Sequence, residues 1–253
     1  MTTSFKVIIP ARYSSTRLPG KALLKIGNKP LIQHVYESAK ASSANEVIIA
    51  TDDDRIRNAA GAFGATVVMT SEHHQSGTER INEVISILNE DKDTIIVNLQ
   101  GDEYGYPSAL IDQVATNLEN HSEVAMATLC KKITDEKDFN DPNLVKVVLD
   151  KNNYALYFSR ASIPARHMSN QTAIPEAYGH MGIYAYHASF LKEYATLPAC
   201  ILEQTERLEQ LRALYYGFEI HVGLATESGG IGVDTQADLE AAQAMEEKKN
   251  NRK

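Results

Sequence analysis

Cys130 and Cys200 are the only cysteines in this chain of 253 residues. They show no metal-ligand spacing and are too few to staple a fold, so inert thiols in a reducing compartment are expected. No apolar run is long enough to cross a bilayer. Phe5–Ile9 is a short strand-like run cut off by Pro10 and Arg12, so no secretory signal is expected at this N-terminus. These absences point to a cytoplasmic protein. A net charge of −8 argues against nucleic acid or an anionic membrane as a partner. A further absence is local. Met1 to Tyr36 holds six Lys or Arg and no Asp or Glu; the first acid is Glu37. A basic segment on an acidic chain suits one small anionic ligand better than a long polyanion.

What is present follows that cue. In "VIIPARYSSTRLPGKALLKIGNKP", an apolar run ends in a loop holding Arg12, Arg17 and Lys21, with Ser14, Ser15 and Thr16 among them. The loop is not a P-loop: Lys21 follows Gly20, but Ala22 replaces the Ser or Thr and Ser15 stands where the first Gly belongs. It reads as a phosphate-binding loop of another kind, with backbone N–H groups, hydroxyls and cations around a polyphosphate. An Arg can grip two oxygens of one phosphate while Lys21 supplies a point charge.

The first half alternates strand-like runs (Phe5–Ile9, Glu46–Ala50, Thr66–Met69, Thr94–Asn98) with helical periods (Leu31–Ala41, Asp53–Phe63, Gly77–Leu88). That alternation predicts an α/β fold, doubly wound, with a mostly parallel sheet covered by helices on both faces. Ligands in such sheets bind beyond the carboxyl ends of the strands, which puts the Arg12–Lys21 loop and "QGDE" (Gln100–Glu103) at one rim. In the second half "VKVVLD", "YALYFS" and "GIYAYH" read as strands with little helix between them, so the sheet should be mixed, with a β-rich insertion. "ILEQTERLEQLRALYYG" reads as one helix closed by Gly217, with Leu208, Leu211, Leu214 and Tyr215 on one face. A strand over "EIHVGLA" and a helix over Gln236–Glu247 end a single domain.

Several motifs carry two readings each. Asp102, just past a buried strand, suits a magnesium ion beside substrate phosphates and equally a helix cap. Asp234 in "GVDTQADLE" has the same two readings, and capping is the commoner use of Asp-Thr before a helix. Ser76, Gly77 and Thr78 open a helix with Arg80 in its first turn, a place able to bind a nucleotide's polar edge. His73 and His74 read as loop histidines. Arg160, His180, Tyr184, Glu209 and Gln210 are, taken singly, structural by default; the last two fit the wet face of their helix.

Together these segments resemble the 3-deoxy-manno-octulosonate (Kdo) cytidylyltransferase family. The matching pieces are "VIIPARYSSTRLPGK", "QSGTERI", "NLQGDE", "VKVVLD", "YALYFSRASIP", "GHMGIYAY", "LEQLRALYYG" and "GVDTQADLE", in the family's order over nearly the whole chain. The resemblance implies a nucleotidyltransferase fold and the reaction of CTP with Kdo to give CMP-Kdo and diphosphate, for the lipopolysaccharide inner core. It implies nucleotide contacts from Pro10, Ala11, Arg12, Arg17, Lys21, Ser76, Gly77, Arg80 and Gln100, with Arg12, Arg17, Lys21 and Asp102 catalytic. It implies Mg2+ on Asp102 and Asp234. Gln100, Arg160, His180, Tyr184, Glu209 and Gln210 would line the sugar side, Arg160 facing the Kdo carboxylate. It also implies a homodimer, with residues of about 155–190 as a dimerisation or sugar-side extension. The same chemistry on 8-amino-Kdo or a sialic acid, and a CTP-binding protein without activity, are the competing readings. One departure stands out: the family continues "QGDE" with Pro, whereas here Tyr104, Gly105 and Tyr106 precede Pro107. Loss of the fixed φ and gain of a Gly predict a more mobile or re-aimed loop.

Overall fold

The computed structural model describes residues 3–15, 17–74, 76–165 and 174–251. Thr16 and residues 166–173 of the expected extension lie outside the described residues.

The chain opens with β1 (Phe5–Ala11), a short 3-10 turn at Lys21–Leu23, and the two-residue strands β2 (Lys25–Ile26) and β3 (Lys29–Pro30). There follow α1 (Leu31–Lys40), β4 (Glu46–Thr51), α2 (Asp54–Ala62), β5 (Thr66–Met69), α3 (Gly77–Ile87) and β6 (Ile95–Asn98). Next come β7 (Glu103–Tyr104), α4 (Ser108–Asn120), β8 (Met126–Lys132), α5 (Glu136–Asn140), β9 (Lys146–Leu149) and β10 (Ala155–Ser159). The last elements are β11 (Tyr178–His187), α6 (Ala188–Tyr194), α7 (Ile201–Glu206), α8 (Gln210–Tyr215), β12 (Ile220–Leu224), β13 (Ile231–Gly232) and α9 (Gln236–Asn250).

β6, β1, β4 and β5 pair in parallel, in that spatial order. β11 then runs antiparallel to β6, β8 and β9, making the sheet mixed, as the second-half strands predict. Because successive side chains of a strand point to opposite faces, β1 feeds two cores. Val7 and Ile9 pack with Ile32 and Val35 of α1 and Leu110 of α4. Ile8 packs with Ile81, Val84 and Ile85 of α3. That is why β1 reads as an unbroken apolar run.

β1 lies between β4 and β6, so the chain winds one way from β1 and returns on its other side. The carboxyl ends of β1 and β6 therefore flank the topological switch point, where such sheets open a crevice. Gly101 closes the bottom of that crevice: a Cβ there would stand 2.8 Å from the Pro10 carbonyl oxygen, so only glycine lets the end of β1 approach.

Two expectations are corrected. The "ILEQTERLEQLRALYYG" segment is two helices, α7 and α8, with Arg207 between them in the left-handed region at φ 55°. The break turns Gln210 into the core, 4% exposed, and leaves Tyr215 on the surface. The Tyr104–Tyr106 departure is not a loosened loop. Tyr104 and Tyr106 are buried, and Tyr104 in β7 pairs with Ile231 of β13. The Tyr104 hydroxyl donates to Glu246 of α9 at 2.6 Å. Two aromatic anchors replace the rigidity lost with proline. Both cysteines are free and buried, and burial pushes the Cys130 thiol up to about 12, consistent with inert thiols.

Candidate active site

A cleft at the switch point is lined by Pro10, Ala11 and Arg12 from the end of β1, Lys21 from the loop, Ser76, Gly77 and Arg80 from the start of α3, and Gln100 and Asp102 after β6. Residues from four separate stretches of chain thus share one cleft.

Asp102 lines this cleft, and the small β7–β13 ladder brings Asp234 close to it. Gly232 pairs with Glu103, and the Val233 N–H donates to the Asp102 carbonyl at 2.9 Å, so the two aspartates flank paired strands, Asp102 just before β7 and Asp234 just after β13. Lys21 sits between them, donating to Asp102 and, at 2.8 Å, to Asp234 Oδ1. Arg17 pairs with the other oxygen of Asp234 at 2.9 Å. Burial alone would lower the Lys21 pKa, but Asp102 and Asp234 outweigh it and raise the value. Glu103 joins the same field: desolvation first, then repulsion by Asp102 and Asp234, push its carboxyl up to about 7.

The helix-cap readings of these aspartates do not hold. The residue capping α4 is Pro107, which offers no side-chain acceptor. Thr235, not Asp234, caps α9, in a reciprocal capping box with Asp238. At α3, Ser76 accepts from the Glu79 N–H as the cap and also lines the cleft.

Arg80 is buried, with Nη2 donating to Asp52 at 2.8 Å and Nη1 to the Thr70 hydroxyl. Its charge is met within the protein, which suits an uncharged part of a ligand. His74, taken from sequence as a loop residue, also lines the cleft, with Nε2 at 2.5 Å from Glu83. Its place beside "QSGTER" was the only signal available.

A second, wider cleft adjoins the first and shares Ser76 and Gln100 with it. His180, Tyr184, Glu209 and Gln210 line it. His180 Nε2 lies 2.9 Å from the Thr128 hydroxyl, and burial pushes the imidazole down to about 3, so it is neutral at ordinary pH. Burial raises the Glu209 carboxyl. The structure does not bring Arg160 together with this set. Its Nε donates to the Glu206 carbonyl at 2.8 Å and its Nη1 to that of Pro142 at 3.1 Å. Among the described residues lining the cleft, the cation is Arg207, at the break between α7 and α8. Sequence reasoning passed it over because the break itself was not legible.

Two aspartates sharing one cation offer hard oxygen donors suited to a divalent metal such as Mg2+. Among the described residues no group of three His, Cys, Asp or Glu forms a complete metal site.

A cytidylyltransferase family model matches residues 6–220. The 3-deoxy-manno-octulosonate cytidylyltransferase of Thioalkalivibrio sulfidiphilus is 51% identical over 247 residues, covering 96% of this chain and 98% of its own. That of Pasteurella multocida is 50% identical, covering 97% and 100%. A solved CMP:2-keto-3-deoxy-manno-octonic acid synthetase complexed with CTP superposes with a TM-score of 0.90 at 40% identity, over 97% of this chain and 99% of the other. A cytidylyltransferase from Leptospira borgpetersenii shares the fold at 20% identity and a TM-score of 0.61.

Proposed function

This chain belongs to the cytidylyltransferase family, among the 3-deoxy-manno-octulosonate cytidylyltransferases, and from that premise we propose that it transfers the cytidylyl group of CTP to Kdo in a Mg2+-dependent reaction. The anomeric 2-hydroxyl of the sugar bonds to the α-phosphorus, the bond from that phosphorus to the β-phosphate bridge breaks, and diphosphate leaves. The hydroxyl proton is released. The product is CMP-Kdo, for the lipopolysaccharide inner core. The setting is the cytoplasm, and the working form is a homodimer joined through residues of about 155–190.

The observation that carries this reading is the pair of clefts meeting at Ser76 and Gln100. One has a polycationic end suited to a triphosphate, the other polar groups suited to sugar hydroxyls. A transfer between two bound substrates needs that adjacency, because placing the reacting atoms side by side removes much of the entropic barrier. Arg12, Arg17 and Lys21 hold the triphosphate and offset charge moving onto the diphosphate, the main source of catalysis in such transfers. Ser76 and Arg80 take the nucleoside. Asp102 and Asp234 would hold the metal, which when bound polarises the α-phosphate and acidifies the attacking hydroxyl. His180 is neutral, buried and hydrogen-bonded to Thr128, a positioning group rather than a base.

The test is diphosphate release from CTP and Mg2+, with Kdo, with 8-amino-Kdo, or with no sugar. Release that requires Kdo is expected, and Asp102→Ala should abolish it. Release only with the amino sugar would move the substrate assignment. CTP binding with no release under any condition would leave a nucleotide-binding protein.

A further inference from the structure

In the loop carrying Arg12, Arg17 and Lys21, the two arginines are exposed, yet its cations must be held in place to meet a triphosphate. Tyr13 follows Arg12 directly, and Gly20 directly precedes Lys21. The Gly20 N–H donates to the Tyr13 carbonyl at 3.0 Å, closing the loop at its neck. Gly20 has φ +67°, and a Cβ there would stand 3.0–3.1 Å from carbons of the Tyr13 ring and 3.2 Å from its hydroxyl, so the Tyr13 side chain packs closely against the glycine. The Arg55 guanidinium carbon also lies over the Tyr13 ring, 3.2 Å from its centroid. Arg55 belongs to α2, an element outside the loop. Asp53 holds that guanidinium with two hydrogen bonds, from Nε at 3.0 Å and from Nη2 at 2.6 Å, while its Oδ1 also accepts the Arg55 N–H and so caps α2.

We propose that the Gly20–Tyr13–Arg55 contact is a latch that pins the neck of the triphosphate loop to the start of α2, making Arg55 a positioning residue for the polyphosphate. The inference rests on the nucleotide reading of this cleft. The physical reason lies in entropy: a loop ordered before binding loses less freedom when the ligand arrives, and so binds it more tightly. A guanidinium stacked on an aromatic face suits the task because it holds the ring without a fixed partner atom. Asp53 keeps the guanidinium plane from swinging away. The latch touches no ligand atom. Its effect therefore scales with how many phosphates the loop must hold, and the nucleoside end of the cleft, walled by α3, should not feel it.

The experiment measures dissociation constants for CTP and CMP by calorimetry in wild type, Arg55→Ala, Arg55→Lys, Tyr13→Ala and Tyr13→Phe. Arg55 is on the surface, so its variants fold. Arg55→Ala should weaken CTP about 3- to 10-fold, the range of an exposed to partly desolvated cation–π contact, and leave CMP within about 2-fold. Tyr13→Ala should weaken CTP further. Tyr13→Phe should match wild type because the ring, not the hydroxyl, is gripped, and Arg55→Lys should recover part of the loss. Unchanged CTP affinity in Arg55→Ala, or equal weakening of CTP and CMP, would overturn the latch. A wild-type protein binding neither nucleotide would instead overturn the function from which the latch follows, and the latch with it.

Discussion

Lys21 and Asp234 stand 213 positions apart in the chain, yet Nζ of one lies 2.8 Å from Oδ1 of the other. The same ammonium bonds Asp102, so one cation from the first loop is shared by carboxylates from two segments much later in the chain. The site is a charge balance as well as a shape, and removing either side should unbalance it.

Replacing Lys21 by Ala should lower kcat/KM by about 100-fold or more, the usual loss when one preorganised charge at a developing oxyanion is removed. The same change leaves Asp102 and Asp234 without their shared cation, beside a Glu103 carboxyl already pushed up to about 7. Tighter Mg2+ binding without nucleotide is then expected, read by calorimetry. Wild-type turnover in Lys21→Ala would remove this residue from the chemistry.

Gly101→Ala should destabilise the protein by about 1–3 kcal/mol, the cost of forcing an atom into a packed site. The obstacle is the Pro10 backbone oxygen, which cannot rotate away. Gly61→Ala is the control: it lies in α2 with nothing within 4 Å of the new Cβ, and should gain about 0.5–1 kcal/mol from helix propensity. Urea denaturation of both variants tests the pair, and equal stabilities would refute the close-approach account.

Tyr104→Phe keeps the buried ring but loses the bond to Glu246, an expected cost of about 1 kcal/mol. Tyr104→Ala also opens a cavity, and about 3–5 kcal/mol is expected by analogy with other buried aromatics. Amide exchange should show α9 losing protection first, since Tyr104 ties that helix to β7. Uniform loss of protection across the sheet would count against this local anchoring.

Acidification should destabilise the fold through its buried histidines. His180 is pushed down to about 3 and His221 to about 4, both first by burial, whereas an unfolded histidine titrates near 6.5. Below that value the unfolded chain takes up protons that the folded one refuses. Stability is therefore complete above about pH 6.5 and falls as pH drops, by about 1.4 kcal/mol per unit for each group. His180→Gln should flatten the slope by about one proton. An unchanged slope in denaturation curves from neutral pH to about pH 5 would show that His180 is not held neutral.

Much of the first half was legible because its signals are local. The apolar run of β1, the periods of α1, α2 and α3, and the turn residues between them depend on neighbours a few positions away. The Tyr104–Tyr106 segment misled for the converse reason. Read locally it is a loosened turn; its rigidity comes from Glu246 and Ile231, more than a hundred residues downstream. The single helix expected over Ile201–Tyr215 failed in the same way, since helix spacing carries on through Arg207 while burial of Gln210 demands a break.

By itself the sequence determined the alternation of strand and helix, the basic loop after the first strand, and a motif order that marks the family, because each is written in adjacent residues. Only the tertiary structure decided that neither Asp102 nor Asp234 caps a helix, that Arg160 stands apart while Arg207 lines the second cleft, and that Arg55 stacks on Tyr13. Those outcomes depend on distances between segments far apart in the chain. Such distances are set by the packing of both sheet faces at once, which no local pattern encodes.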